Sequence, residues 1–195
     1  MKIVFLLDRF LPYRGGIPVR AYKIAKGLTE RGHEAIVYTA SHPKAPQVER
    51  IDGIEVRRYN FIGKGHSPFD RLLKAPYGPL MPRLFMLPGD KQIQDVDIVQ
   101  SFMFMSFVTL IAASLKLARK KVFVLAPYCP PDYRGIPGFS THKSLVLYRL
   151  TLGMAILRYA DFHITETNRE TNNLIYGFGV RPNKIQVIPD GIDTE

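Results

Sequence analysis

The chain has 195 residues, 46% of them hydrophobic, with 27 Lys or Arg against 17 Asp or Glu and a formal net charge of +10. That length suits one globular domain with a proper core. The single cysteine, Cys129, excludes an intramolecular disulfide and suits a reducing compartment, and the opening apolar run is too short for a signal peptide.

Residues 3–7 (IVFLL) form an uninterrupted apolar run, the pattern of a buried parallel strand. Asp8 and Arg9 stand at its tip, followed by a loop to Gly15-Gly16. A helix is expected from about Pro18, because proline suits a first helical turn, and Gly32 ends it as a left-handed C-cap. Ile17, Ala21, Ile24, Ala25 and Leu28 share one face of that helix. Two readings of Gly15-Gly16 stand side by side. Paired glycines permit positive φ and a close approach of backbone to ligand, and the amides near Gly16 would offer a helix N-terminus to a diphosphate. Alternatively, the loop needs two glycines only to turn.

Further strands are predicted at 34–40, 54–59, 97–101, 121–126, 162–165 and 185–188, with helices at 106–119, 144–159 and 169–176. Strands alternating with helices imply βαβ units, hence a doubly wound, mostly parallel α/β sheet. Ligands in such sheets bind beyond the carboxyl ends of the strands. Residues 8–16, 101–105, 127–138 and 166–168 would converge there. Residues 98–115 carry no charge and reach the lower limit for a membrane span, but five Ser, Thr or Gln interrupt them. A buried strand running into a buried helix accounts for the stretch equally well. Cys129 has no thiol-activating neighbour in the sequence and reads as a loop or near-core residue.

The positive charge is uneven. Residues 98–160 hold eight Lys or Arg and one acid, Asp132. Residues 54–91 hold seven basic residues against three acidic ones, with five prolines and many large apolar side chains. Arg71, Lys74 and Arg83, beside Phe69, Leu72, Leu73, Leu84, Phe85 and Leu87, would suit an anionic bilayer or a phospholipid. A solvated basic surface over an ordinary core element explains the same pattern. Nucleic-acid binding would use the charge, but the aromatics are scattered and no recognition motif is present. A nicotinamide dehydrogenase needs G-x-G-x-x-G, which Tyr13-Arg14-Gly15-Gly16-Ile17-Pro18 does not supply.

The ordered set Pro12…Gly15-Gly16-Ile17, Arg31-Gly32-His33-Glu34, Asp97-Ile98-Val99, Ala160-Asp161 and Lys184-Ile185…Val187-Ile188-Pro189…Gly191-Ile192-Asp193 resembles nucleotide-sugar glycosyltransferases of the GT-B architecture. More narrowly, it is similar to the retaining, metal-independent group that includes sucrose and glycogen synthases and bacterial lipid mannosyltransferases. The likeness runs along the whole chain, but only as that group's Rossmann-like N-terminal, acceptor-side domain. It implies a nucleoside diphosphate-sugar as donor substrate, no cofactor and no metal, and it assigns the donor diphosphate to Gly15, Gly16 and Ile17. It leaves Arg9, Arg14, Ser101, Arg134 and Thr167 as candidates on the acceptor and sugar side. It also implies a C-terminal donor-binding domain outside residues 1–195, without which this stretch is expected to be inactive, and a cytoplasmic enzyme, peripheral on the inner face of the membrane if its acceptor is lipid-linked.

The sequence departs from the group at several positions. Gln100-Ser101-Phe102 stands where many members have a histidine, and Pro127-Tyr128-Cys129-Pro130-Pro131-Asp132 where another is common. Tyr128 and Asp132 are the candidates to replace the second. Thr167 takes the place of a usual serine, and Asp190 that of a usual asparagine. These changes leave the sugar and acceptor open, and they keep in view an interaction or regulatory domain that retains the fold without the chemistry.

Overall fold

Apolar strands that recur between amphipathic helices can bury both faces only in a layered sheet, and that is what forms. The structure, a computed structural model, describes residues 1–61, 81–89, 93–104, 106–128, 152–189 and 191. In chain order these build β1 (Lys2–Leu6), α1 (Gly16–Thr29), β2 (Glu34–Ala40), β3 (Val48–Ile51) and β4 (Ile54–Tyr59). A 3-10 segment (Pro82–Gly89) precedes β5 (Ile98–Phe102), α2 (Phe107–Arg119), β6 (Val122–Ala126) and α3 (Met154–Tyr159). The last elements are β7 (Phe162–Thr165), α4 (Asn168–Asn172) with a wider turn at Asn173–Gly177, and β8 (Ile185–Val187).

The eight strands lie in the order β3-β4-β2-β1-β5-β6-β7-β8, and every pair is parallel except β3–β4. The alternation along β1 divides the core. Ile3, Phe5 and Leu7 face α1 through Ala21 and Ala25, while Val4 and Leu6 face the layer of α2, α3 and the 3-10 segment. The uncharged stretch 98–115 is split between β5 and α2, each buried, and among the described residues no helix is long and apolar enough to cross a membrane.

Three expectations change. The sequence reading has no strand at 48–51, yet β3 pairs antiparallel with β4 across Asp52 and Gly53, both at positive φ (48° and 82°). That is the backbone of a tight hairpin, and Asp-Gly is its usual sequence. Helix α1 begins at Gly16, two residues before the expected start; Pro18 still sits in its first turn, where an N–H has no helical acceptor. Leu84 and Leu87, counted among the side chains resting on a bilayer, are instead buried beneath the sheet with Val99 and Val108, while Arg83 and Met86 are exposed. The other residues of that surface, Arg71, Lys74, Phe69, Leu72 and Leu73, lie outside the described residues, as do Cys129 and the first part of the expected helix 144–159.

Candidate functional site

Strand order reverses between β1 and β5, so the crevice at their carboxyl ends is the place where a sheet of this type takes a ligand. Two side chains close its floor. Asp8, just past β1, accepts a hydrogen bond from Ser106 Oγ, and Ser106 in turn caps α2 by accepting from Val108 N–H at 3.2 Å. Burial pushes the Asp8 carboxyl up to about 7, with the Ser106 bond and the Arg9 charge pulling the other way. Such a group holds or releases a proton near neutrality.

The loop from Arg9 to Gly15 forms one wall. The Arg9 guanidinium lies 4.8 Å over the Tyr13 ring, which meets His42 edge-on at 4.6 Å. Arg58, buried at the carboxyl end of β4, donates to Leu11 O at 2.6 Å and to Pro46 O at 2.8 Å and pairs with Glu49 at 2.5 Å. The loop, with its cis Leu11–Pro12 bond, is thereby tied to the sheet.

Gly15 is extended (φ −178°) and Gly16 is the first helical residue, so neither has the positive φ expected of them. Their use lies in space rather than in backbone freedom. A Cβ at Gly16 would meet no atom within 4 Å, and one at Gly15 would meet only Pro18 Cδ at 3.7 Å. No side chain caps α1, and no acid lies in its first turn. Val19 N–H turns back to Gly15 O at 3.1 Å and Pro18 has no N–H, which leaves the Gly16 and Ile17 amides at the helix end. An uncapped helix N-terminus with an open approach favours an anion.

The opposite wall is held by a part-buried ion pair that the sequence reading does not contain. Arg20, on α1, pairs with Glu166, just after β7, and donates to Ile188 O at 3.1 Å beyond β8. Its guanidinium also lies 5.4 Å over the Tyr128 ring, which stacks on Phe102 and through it on Phe5. The signal was present in part: Arg20 is three residues from Ile17 and four from Ile24, a charge on an otherwise apolar helix face. A charge so placed requires a partner. The partner, 146 residues away, leaves no local mark.

Of the residues expected at the site, the structure gathers Arg9, Gly15, Gly16, Ile17, Tyr128 and Thr167 along the carboxyl edge. Arg14 is exposed in the loop, and Thr167 caps α4 by accepting from Glu170 N–H at 3.1 Å. Tyr128 is held at φ 45°, unusual for an aromatic residue, with its hydroxyl shielded from solvent. Ser101 is fully buried and bonded to Thr109 Oγ1 at 2.8 Å, which itself donates to Met103 O at 2.6 Å. Its hydroxyl thus braces the turn from β5 into α2 and does not face the crevice. Asp132, Arg134 and Asp190 lie outside the described residues. Among the described residues no cluster of three His, Cys, Asp or Glu could hold a metal ion.

Comparison with known proteins bears on this edge. The family model for Glycosyltransferase Family 4 matches residues 14–195. No curated protein matches the chain. Among solved structures, the fold is similar to sucrose-phosphate synthase from Thermosynechococcus elongatus, with TM-score 0.77 and 15% identity over 98% of this chain and 48% of that one. It is also similar to HepE of Anabaena in complex with UDP and glucose (TM-score 0.64, 15% identity, 99% and 45% covered). A glycosyltransferase from Rickettsia africae gives TM-score 0.59 at 16% identity, with 98% and 43% covered. The chain spans just under half the length of each. By its sequence match and its doubly wound sheet, the chain belongs to Glycosyltransferase Family 4, with the fold of a GT-B N-terminal domain.

Proposed function

We propose that this domain is the acceptor-side half of a glycosyltransferase that moves a sugar, of hexosyl type, from a nucleoside diphosphate donor to an acceptor with retention and without a protein-bound metal. The observation that carries the reading is the uncapped N-terminus of α1, with open space over Gly16, at the carboxyl edge of the sheet. HepE, one of the similar structures, holds UDP or UDP-glucose. In the proposed reaction the Gly16 and Ile17 amides receive the diphosphate, and the charge that grows on it as the glycosidic bond breaks is stabilised by dipoles already in place. Arg58 and Arg20 hold the two sides of that helix entrance, so the amides keep their aim. The acceptor occupies the crevice beside Asp8, with Arg9 and Arg14 on its rim. A cytoplasmic enzyme that meets a lipid-linked acceptor at an anionic membrane face fits the exposed Arg83 and Met86.

The test is Gly16→Val in the protein carrying both halves. The added side chain has room in the folded domain, so the thermal midpoint is expected to move little, whereas the branched Cβ obstructs a diphosphate at the helix end. Transfer measured with a panel of nucleotide sugars should fall about a hundredfold or more, the range for a lost oxyanion-type contact. A variant that keeps its transfer rate and donor affinity would show that the two glycines serve only the turn, and would favour a non-catalytic interaction domain.

A further inference from the structure

At the amino ends of β7 and β8, away from the Gly-Gly loop, Arg158, Gly179, Val180, Arg181 and Lys184 line a cavity of about 440 Å³. We propose that this cavity binds a phosphate-bearing anion through the Arg158 and Arg181 guanidinium groups.

Its volume falls within the roughly 300–1,000 Å³ of small-molecule sites, and among the described residues its lining holds three cations and no acid. Neither arginine has a carboxylate partner among the described residues, while the Lys184 charge acts on Asp161. Asp161 is itself bonded to Lys116 at 2.7 Å and to Phe123 N–H at 2.9 Å. Arg158, Gly179 and Arg181 are exposed, and two of the three cations are tethered to backbone carbonyls. Arg158 Nε donates to Phe178 O at 3.0 Å, which fixes the guanidinium and leaves its Nη atoms to the cavity. Lys184 Nζ donates to Ala160 O at 2.7 Å and to Arg158 O at 3.2 Å, tying α3 to the turn before β8. Gly179 stands at φ +68°, held by Gly179 N–H to Ile175 O and Val180 N–H to Leu174 O, both 3.0 Å. A Cβ there would lie 2.8 Å from Arg158 Nη2, so the glycine is what lets the guanidinium lie against the backbone. A planar fork tethered through Nε beside a second, exposed guanidinium matches the oxygens of a phosphate group.

The probe is inorganic pyrophosphate, titrated into the ¹⁵N-labelled chain at constant ionic strength. Saturable shifts are expected at the Gly179, Val180 and Arg181 amides. Replacing Arg158 and Arg181 together by Gln should weaken this binding about tenfold or more, since each removes a charge-assisted contact. The pair Lys44→Gln with Lys120→Gln, an equal change in charge elsewhere, should not. Gly179→Ala displaces the guanidinium without changing charge and should weaken binding too, with circular dichroism confirming the fold. Vesicles of phosphatidic acid against neutral ones separate the sources: Arg158-dependent sedimentation marks a lipid headgroup, and its absence a soluble phosphate. No saturable shift at these amides, or equal weakening by both charge pairs, overturns the site. Shifts confined to Gly16 and Ile17 overturn it as well and leave the proposed function standing.

Discussion

His163 is fully buried on β7, where its Nε2–H donates to Leu157 O at 2.8 Å. Burial pushes its pKa from the ordinary 6.5 to about 4, with the nearby Lys184 charge adding to the shift and the Leu157 bond opposing it. The unfolded chain therefore binds more protons between pH 6.5 and 4, and stability falls on acidification through that window by about 3 kcal/mol. Asp8 acts with the opposite sign. Its folded pKa of about 7 lies above the ordinary 3.8, so the folded state binds more protons in between, and stability falls as pH rises toward 7 by up to about 4 kcal/mol. In the native protein the two slopes nearly cancel between pH 4 and 6.5. Asp8→Asn keeps an oxygen for Ser106 and removes one slope. The variant is expected to be more stable than wild type at pH 8, to lose that advantage toward pH 4, and to show the His163 decline alone. Thermal midpoints of both proteins across this range check it; parallel profiles would contradict the Asp8 shift. Asp161 adds a later step. Burial raises it, but Lys116 and the Phe123 amide outweigh burial and hold it below the ordinary carboxylate range, so its contribution is lost only in stronger acid.

The hairpin β3–β4 shows where element-level reading succeeds and fails. Val48-Glu49-Arg50-Ile51 is short, half charged and at the sheet edge, so it carries neither the apolar run nor the alternation that marks the other strands. Its signal lies in Asp52-Gly53 alone. Tyr22 donates to the Asp52 carboxylate, and Thr29 Oγ1, which donates to Lys26 O at 2.8 Å, lies 3.4 Å from Asp52 O, so α1 braces the turn. Gly53→Ala meets only ordinary contacts with Thr29 at 3.8 Å, and its cost is the left-handed backbone, about 1 kcal/mol. Chemical denaturation should show that loss; an unchanged midpoint would mean the turn relaxes. Elements with a strong period were legible to within one or two residues, α1 and β1 among them. The candidate site was legible as backbone, through Gly15-Gly16 and the strand tips. Its side-chain part was not, because Arg20–Glu166 and Asp8–Ser106 join residues 146 and 98 positions apart.

At the scale of the molecule, the proposed function makes this sheet one wall of a cleft. The chain as it stands is expected to bind nucleotide weakly and to transfer no sugar, while the longer protein with a second βα domain does; parallel assays with one donor panel decide it, and transfer by the chain at a comparable rate would contradict the half-enzyme reading. Parallel order was readable from the alternation of strands and helices, but strand order was not, since any permutation keeps the same pattern. That order carries a consequence for how the protein is made. β1 emerges first from the ribosome, yet it lies in the middle: β2 covers one edge early, and β5 closes the other only after residue 98. Asp97 fixes that late closure, donating its N–H to Lys2 O at 2.9 Å and accepting from Lys2 N–H at 2.8 Å. At roughly 5–20 residues per second, the nascent chain leaves one edge of β1, a strand buried at four of its five residues, unpaired for several seconds. During that interval an open strand edge is a template for a neighbouring polypeptide, and shielding by a chaperone should matter most before Phe102 has left the exit tunnel.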